Sequence, residues 1–212
     1  MANNVTITLP NSLTFLRIVL TPFFLVLFIS DSLFYKQISL AVFIIAALTD
    51  WYDGWAARKW GNISRLGIFM DPLADKILSS TALIAFAYLN LIDAWMVAII
   101  VFRDLLITIL RSIAELRDQP IVTTYLAKAK TTIQYVVIYY ILVLYVVRTI
   151  PLLQINHPTL YDLIDNLLHP QVLFGMMILV TIFTVWTGVS YLYYNRKFIR
   201  SLSKKTSPDA IE

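Results

Sequence analysis

The chain contains no cysteine and little charge. With no cysteine among 212 residues, disulfides and thiolate metal sites are excluded. Only 14% of the residues are charged, whereas a soluble domain usually has about 25%. Hydrophobic residues make up 59%, and the mean hydropathy is +0.74. This composition predicts an all-α integral membrane protein. The chain is long enough for six transmembrane helices of about 20 residues each.

Histidine is also scarce. The two histidines, His157 and His169, fall in one predicted loop without acidic residues arranged as co-ligands, so we expect no metal role for them. No basic segment precedes the first apolar run, so no cleaved signal peptide is predicted. The chain has no nucleic-acid-binding motif, and we expect its net charge of +4 to favour an anionic membrane leaflet instead.

The hydropathy pattern predicts a single domain over 1–212. A short N-terminal interfacial segment leads to a helix capped by Asn11 or Ser12. Loops are expected at 118–130 and 148–170, and a disordered basic tail from about 200 to 212. The six predicted transmembrane helices cover about 13–29, 37–55, 70–91, 95–117, 131–147 and 172–194.

Four aspartates interrupt the second and third apolar segments: Asp50, Asp53, Asp71 and Asp75. An ionisable residue at membrane depth is costly, and therefore indicates a functional site. On a helix, Asp50 and Asp53 lie about 60° apart, while Gly67, Asp71 and Asp75 step by four residues along one face. Two such faces could form an all-oxygen site, which suits Mg²⁺, Mn²⁺ or Ca²⁺ better than Zn²⁺.

A structural role for the same aspartates is the alternative. They could form an ion-pair network with the basic residues around them, which are Arg58, Lys59, Arg65 and Lys76. The small residues Gly54 and Ala57 lie on the face of Asp50 and Asp53, where they leave room for a ligand or a neighbouring helix. Four acids at helical spacing with small residues between them favour the ligand site.

These residues also match a known pattern. The sequence Asp50-x-x-Asp53-Gly54-x-x-Ala57-Arg58, eight further residues and then Gly67-x-x-x-Asp71-x-x-x-Asp75 resembles the signature of the CDP-alcohol phosphatidyltransferases. The resemblance implies transfer of a phosphatidyl group from CDP-diacylglycerol to a small alcohol, with release of CMP. It also implies that Asp50, Asp53 and Asp71 bind metal, two ions of Mg²⁺ or Mn²⁺, and that Asp75 binds metal and acts as the general base.

The resemblance further implies a binding site for the CDP-lipid. Gly54, Ala57 and Gly67 would give its cytidine part close access to the backbone, beside Asp50 and Asp71. Arg58 would position the diphosphate, although packing or an ion pair could also explain it. The segment LPNSLTFLRIVLTPFF resembles the start of the bacterial phosphatidylglycerophosphate synthases of this family, which would place Asn11, Thr14 and Arg17 beside the site. A snorkelling interfacial arginine is the alternative for Arg17.

Further basic residues indicate the acceptor. Arg103 and Arg111 can share one helix face, and a buried arginine must meet a carboxylate, carbonyl or phosphate. Pairing of Arg103 with a motif aspartate and of Arg111 with Glu115 are the alternatives. Lys128 and Lys130, followed by Gln134, resemble a Lys-x-Lys-Thr segment of the phosphatidylglycerophosphate synthases. All four basic residues are predicted to bind the phosphate of sn-glycerol 3-phosphate. A cardiolipin synthase and a cation transporter are the alternative functions.

The basic residues also predict the orientation. Of the 17 lysines and arginines, only Lys36 and Arg148 fall in the loops at 31–36, 90–94 and 148–170. By the positive-inside rule, both termini and the aspartates are expected on the cytoplasmic side of the inner membrane. The family resemblance also predicts a homodimer.

Overall fold

The computed structural model describes the backbone of residues 9–60, 65–117, 125–196 and 198–199. Side chains are described over 14–49, 52, 72–115, 117, 125–196 and 198–199. Every regular element in these ranges is a helix, which confirms the predicted all-α class. The helices are α1 (Leu9–Ile29), α2 (Leu33–Trp60), α3 (Arg65–Tyr88), α4 (Ala94–Leu116), α5 (Tyr125–Arg148), α6 (Pro151–Asn156), α7 (Pro158–Leu167) and α8 (Pro170–Tyr194).

The six long helices pack into one bundle. Helix α1 packs along both α2 and α3, α3 packs on α4, and α8 lies between α4 and α5. Helix α5 then contacts α2 and α3, which brings the second half of the chain back to the first. The short helix α7 packs against α5. Residues from α3, α4, α5 and α8 can therefore meet in the interior of the bundle.

Aromatic residues fill the centre of the bundle. Phe24 and Phe28 of α1 stack with ring centroids 5.5 Å apart, and Phe43 of α2 lies 5.0 Å from Phe24. The rings of Phe86 and Tyr145 contact Phe28 from α3 and α5, at 5.6 and 5.4 Å. The four phenylalanines are completely buried. Such offset and edge contacts add to the burial of apolar area and hold four helices together.

A tight turn joins α3 to α4 where the sequence predicts one. Asn90 has a positive φ of 56°, a conformation that asparagine tolerates better than most residues. The N–H of Leu91 donates to the carbonyl of Phe86 at 2.9 Å, and the N–H of Asn90 to that of Ala87 at 3.0 Å. These two bonds form a Schellman motif, which satisfies carbonyls at the end of α3.

Several predicted boundaries differ from the structure, among them those of α1, α2 and α5. Helix α1 begins at Leu9, so Asn11 and Ser12 lie inside it and do not cap it. Pro10 is tolerated there because N–H groups of the first turn have no partner within the helix. Helix α2 begins at Leu33 and extends to Trp60. Helix α5 begins at Tyr125, so Lys128 and Lys130 belong to a helix and not to a loop at 118–130.

The predicted loop at 148–170 is largely helical. Its prolines, Pro151 and Pro158, begin α6 and α7, and Pro170 begins α8. Proline fits the first helical position because its fixed φ is already helical and its missing N–H would have no partner there. Three prolines therefore mark helix starts in a stretch that their presence alone had suggested to be irregular.

Within the part of the chain that the structure describes, two helices are long and apolar enough to cross a membrane, Tyr125–Arg148 and Pro170–Tyr194. The apolar parts of α1 and α2, Thr14–Ile29 and Leu33–Thr49, are shorter. The count of six transmembrane helices therefore stays a prediction. Large apolar side chains also project outward from several helices, among them Val26, Phe102, Leu179 and Trp186. Such an apolar exterior is typical of a lipid-facing surface.

The ends of the predicted domain lie outside the described residues. This applies to residues 1–8, which include the start of the predicted N-terminal interfacial segment, and to the predicted tail over 200–212. The single domain over 1–212 therefore remains a prediction.

Candidate functional site

A cavity with several charged side chains in its lining opens between α3, α4, α5 and α8. Its volume is about 340 Å³. It lies near the start of α3 and α5 and near the end of α8, and it is lined by Pro72, Asp75, Lys76, Arg103, Asp104, Ile107, Thr108, Arg111, Ala127, Lys128, Thr131, Thr132 and Tyr191. Four of these side chains are basic and two are acidic, so the described lining has an excess of positive charge suited to an anion.

A buried carboxylate organises the basic side chains. Asp104 of α4 lies with its Oδ1 2.5 Å from the Nζ of Lys130 and 3.1 Å from Nη1 of Arg103. Its Oδ2 lies 3.9 Å from the Nζ of Lys76. The side chains of Asp104 and Lys130 are 1% and 0% exposed. One anion thus holds cations from three helices, which offsets part of the cost of burying them.

Lys130 lies beneath the cavity wall. Besides Asp104, its Nζ donates to Oε1 of Gln134, one turn further along α5, at 2.5 Å. Lys130 is not among the residues that line the cavity, whereas Lys128, two positions earlier, is exposed and lines it. The two lysines of the Lys-x-Lys-Thr segment therefore have different positions, because a step of two residues on a helix turns the side chain by about 200°.

Arg103 is held against α8. Its Nη2 donates to Oγ1 of Thr187 at 3.0 Å. Beside it, a Cβ atom on Gly188 would lie 3.1 Å from Cγ of Arg103. Any larger residue at position 188 would press on the aliphatic part of the Arg103 side chain, whereas glycine does not. Arg103 thus pairs with its neighbour Asp104, and the described contacts do not include the predicted alternative, a motif aspartate.

Arg111 pairs with an acidic residue of its own helix. Its Nε donates to Oε1 of Glu115 at 3.1 Å, which is the pairing that the sequence offered as an alternative. About half of the Arg111 side chain is exposed, and it lines the cavity together with Arg103. The two arginines thus line the same cavity, as their helical spacing allows, and their binding of the acceptor stays a prediction.

Several buried polar atoms around the cavity have no hydrogen-bond partner among the described residues. They are Nζ of Lys76, Nε of Arg103, Oδ2 of Asp104 and the hydroxyl of Tyr191. Buried polar groups in proteins are nearly always satisfied by protein, water or a ligand. Four such atoms around one cavity indicate that it accommodates polar molecules.

Asp75 lies at the edge of the same cavity. Its Oδ1 accepts a short hydrogen bond from the hydroxyl of Tyr135 in α5, and its Oδ2 lies 3.7 Å from Nζ of Lys76. That separation is longer than a hydrogen bond. The ammonium of Lys76 also lies 5.8 Å from the centre of the Tyr135 ring. Asp75 is thus half-buried, oriented by a tyrosine and close to the basic side chains.

The other motif residues are known by their backbone position. Asp50 lies ten residues before the end of α2, and Asp75 lies ten residues after the start of α3. Asp53 and Asp71 lie closer to the four residues, 61–64, that separate the two helices. All four aspartates are therefore within about 15 Å, along the helix axis, of the same connection. The side chains of most predicted motif residues lie outside the described part: Asp50, Asp53, Gly54, Ala57, Arg58, Gly67 and Asp71.

Thr14 and Arg17 face the interior of the bundle. They are 2% and 1% exposed, so Arg17 does not snorkel to a surface and that alternative is wrong. Nε of Arg17 donates to the carbonyl of Ala46 at 3.3 Å. Ala46 lies one helical turn before Asp50 in α2, which places Arg17 next to the segment of the aspartates.

Comparison with known sequences identifies the family. The family model described as CDP-alcohol phosphatidyltransferase matches residues 7–187 of the chain. The chain belongs to this family. It is therefore an enzyme of the CDP-alcohol phosphatidyltransferase type, and this classification disfavours the cation transporter that the aspartates alone left open.

Curated relatives narrow the comparison within the family. A protein of Salmonella typhimurium named CDP-diacylglycerol–glycerol-3-phosphate 3-phosphatidyltransferase is 36% identical over 140 residues, which are 63% of this chain and 76% of that protein. Proteins with the same name from Bacillus subtilis and Escherichia coli are 36% and 34% identical, over 61% and 63% of this chain and 74% and 76% of their own lengths.

Three residues at or beside the cavity of this family member are not marked as site residues by the sequence. Lys76 and Tyr191 line the cavity, and Tyr135 contacts Asp75 beside it. The otherwise apolar helix α8 has a stripe of small and polar residues at helical spacing: Thr184, Thr187, Gly188 and Tyr191. This stripe could have identified the face of α8 that is turned toward the cavity. Nothing in the sequence distinguishes Tyr135 from the other tyrosines of α5.

Proposed function

We propose that the enzyme transfers the phosphatidyl group of CDP-diacylglycerol to sn-glycerol 3-phosphate, forming phosphatidylglycerophosphate and CMP. One observation carries the proposal: Asp75 and four basic side chains line the same cavity. The names of the three relatives support the same reaction. A phosphorylated acceptor accounts for the cations, which exceed what one lipid diphosphate would require.

In this proposal the acceptor phosphate lies between α4 and α5. Arg103, Arg111 and Lys128 supply donors at the cavity wall, where charge-assisted hydrogen bonds to phosphate are strong. Lys130 contributes from beneath through its charge and by holding Asp104. The unpartnered hydroxyl of Tyr191 is available to a further phosphate or hydroxyl oxygen.

The residues present fit a divalent cation. Carboxylate oxygens are the ligands that Mg²⁺ and Mn²⁺ prefer, and the aspartates of α2 and α3 lie at similar distances from one helix connection. Asp75 retains an oxygen whose nearest described cation is beyond hydrogen-bond length. We propose that Asp50, Asp53, Asp71 and Asp75 hold one or two ions. A bound ion would act as a Lewis acid and stabilise charge on the departing phosphate.

The chain's own residues then organise the transfer. The basic side chains hold the acceptor so that its hydroxyl faces the lipid phosphorus. Asp75 accepts the hydroxyl proton while the acceptor oxygen bonds to phosphorus and the bond from phosphorus to the CMP oxygen breaks. Tyr135 keeps the Asp75 carboxylate oriented. Thr14, Gly54, Ala57, Arg58 and Gly67 are proposed to contact the CDP-lipid, together with Asp50 and Asp71.

The proposed setting is the inner membrane, with the cavity and both termini in the cytoplasm and two copies forming a homodimer. The distribution of lysine and arginine supports this orientation. Glycerol 3-phosphate, which is water-soluble, would then reach the cavity from the cytoplasm.

The reaction can be tested with purified enzyme in nanodiscs. With Mg²⁺ and CDP-diacylglycerol, we expect CMP release to require glycerol 3-phosphate, to stop on chelation with EDTA and to return when Mg²⁺ is added. Phosphatidylglycerol as acceptor tests the cardiolipin synthase alternative. CMP release with phosphatidylglycerol but not with glycerol 3-phosphate would reject the proposed acceptor and retain the family reaction.

A further inference from the structure

The segment between α5 and α8 has an apolar surface that no described element covers. In α7, Leu160, Leu163 and Leu167 are 44%, 55% and 36% exposed. They follow i, i+3, i+7 spacing, so they lie within about 60° of one another around the helix. Two further apolar residues in α6, Leu152 and Ile155, are 65% and 74% exposed.

The remaining faces of α7 differ in character. Ile164 and, one turn later, Leu168 are buried against the bundle. Around the helix axis they adjoin the face of the exposed leucines. Asp162, Asp165 and Asn166 are exposed on the opposite side. Helix α7 therefore has one face toward the protein, an adjoining face that is apolar but exposed, and a polar face.

The position of this segment in the chain identifies what covers the apolar face. Among the described residues, helices α5 and α8 are long and apolar enough to cross a membrane. The connection between them, at 149–169, must lie at a membrane boundary, because one helix ends and the other begins there. An amphipathic helix at such a boundary buries its apolar face among the lipid head groups and upper acyl chains.

We propose that α6 and α7 bind the bilayer interface as an in-plane anchor, with Leu160, Leu163 and Leu167 in the lipid and Asp162 and Asp165 toward water. Two contacts couple this anchor to α5. The Tyr140 hydroxyl donates to the carbonyl of Leu167 at 2.9 Å, and Nη2 of Arg148 lies 2.6 Å from Oδ1 of Asp165. The anchor thereby sets the depth of α5, whose opposite end bears Lys128 and Lys130. This role is independent of which acceptor the enzyme uses.

The absence of native cysteine allows a direct test by spin labelling in nanodiscs. Leu163→Cys and Asp162→Cys place a label on adjacent positions of α7 that face different sides, and Leu179→Cys, in an exposed position of α8, is the lipid-facing reference. Collision with oxygen reports lipid exposure, and collision with a water-soluble nickel chelate reports water exposure. We expect Leu163→Cys to resemble Leu179→Cys in favouring oxygen, and Asp162→Cys to favour the chelate.

Equal chelate access at positions 162 and 163 would overturn the proposal, because the leucine face would then be in water. Spin–spin broadening at position 163 that is absent at position 179 would also overturn it, by assigning the face to a second copy of the chain. If Leu163→Cys does not fold, Leu160→Cys gives the same measurement on the same face.

Discussion

Lys130 of α5 and Asp104 of α4 form an ion pair with 2.5 Å between Nζ and Oδ1, and neither side chain is exposed to any appreciable extent. The pair joins two helices at the base of the cavity. Because Asp104 also contacts Arg103, the same carboxylate orients a residue of the cavity wall. The stability of the bundle and the geometry of the cavity therefore depend on one side chain.

Removal of the Asp104 charge is expected to destabilise the protein. Asp104→Asn leaves Lys130 and Arg103 buried without their anion, and breaking a buried pair typically costs about 3 kcal/mol. Glu115→Gln breaks the half-exposed pair with Arg111 and is the control, with an expected cost below about 1 kcal/mol. The apparent free energy of unfolding, measured by titration with a denaturing detergent, compares the two. Equal losses would contradict the organising role of Asp104.

The space beside Gly188 is expected to control Arg103. In Gly188→Ala the new Cβ meets Arg103 Cγ at 3.1 Å and shifts the guanidinium away from Thr187. The displaced guanidinium is then expected to lose its charge-assisted hydrogen bond to the acceptor phosphate. A loss of about 1.5 kcal/mol should raise the KM for glycerol 3-phosphate roughly tenfold.

Gly175→Ala is the matched control for Gly188→Ala. Both changes are in α8 and improve helix propensity equally, but a Cβ at 175 meets nothing within 4 Å. An unchanged KM is expected for Gly175→Ala. If both variants keep the native KM, Arg103 tolerates the methyl group and its position is not set by Gly188.

Lys128 is expected to act on the acceptor more than on the lipid. In Lys128→Ala the KM for glycerol 3-phosphate should rise roughly tenfold, as expected for one charge-assisted contact of about 1.5 kcal/mol, with a smaller change in the KM for CDP-diacylglycerol. Lys36→Ala removes the same charge near the opposite end of α5, where Lys36 contacts Tyr145, and should change neither constant. Equal increases for both substrates in Lys128→Ala would argue against an acceptor-phosphate site.

Asp75→Asn is expected to stop turnover without preventing binding of the lipid. A general base contributes at least about 10²-fold to the rate, and asparagine cannot accept the proton. Binding of labelled CDP-diacylglycerol should be largely retained because the other aspartates remain. Asp162→Asn, the same change on the polar face of α7, is the control. Native turnover in Asp75→Asn would reject its assignment as the base.

Tyr135 is expected to affect the rate through Asp75. Tyr135→Phe removes the hydrogen bond to Oδ1 of Asp75, and a bond of about 1 kcal/mol corresponds to a roughly fivefold lower kcat. The KM for the acceptor should change little. Tyr145→Phe, which removes a hydroxyl bound to Lys36 at the other end of α5, should leave kcat unchanged. A Tyr135→Phe variant that raised KM alone would indicate a binding role instead.

The sequence by itself determined the helical class and the family. The low content of charged residues indicates a mostly apolar environment. The eight specified residues of the aspartate motif match one family at every position. It also predicted that Arg103 and Arg111 share a face, because helical spacing alone decides this. Local signals failed at Asn11, Ser12, Pro151 and Pro158, since proline and small polar residues occur both in loops and at helix starts.

Only the tertiary structure decided which helices supply the cavity and what each lysine does. Lys128 and Lys130 look equivalent in the sequence, yet one lines the cavity and the other is buried on Asp104. The reason is that packing of the bundle brings the Asp104 carboxylate of α4 to the side of α5 that bears Lys130. Tyr135 and Tyr191 became recognisable for the same reason. Their partners, Asp75 and the cavity, come from other helices, and the spacing of residues within one helix contains no information about its neighbours.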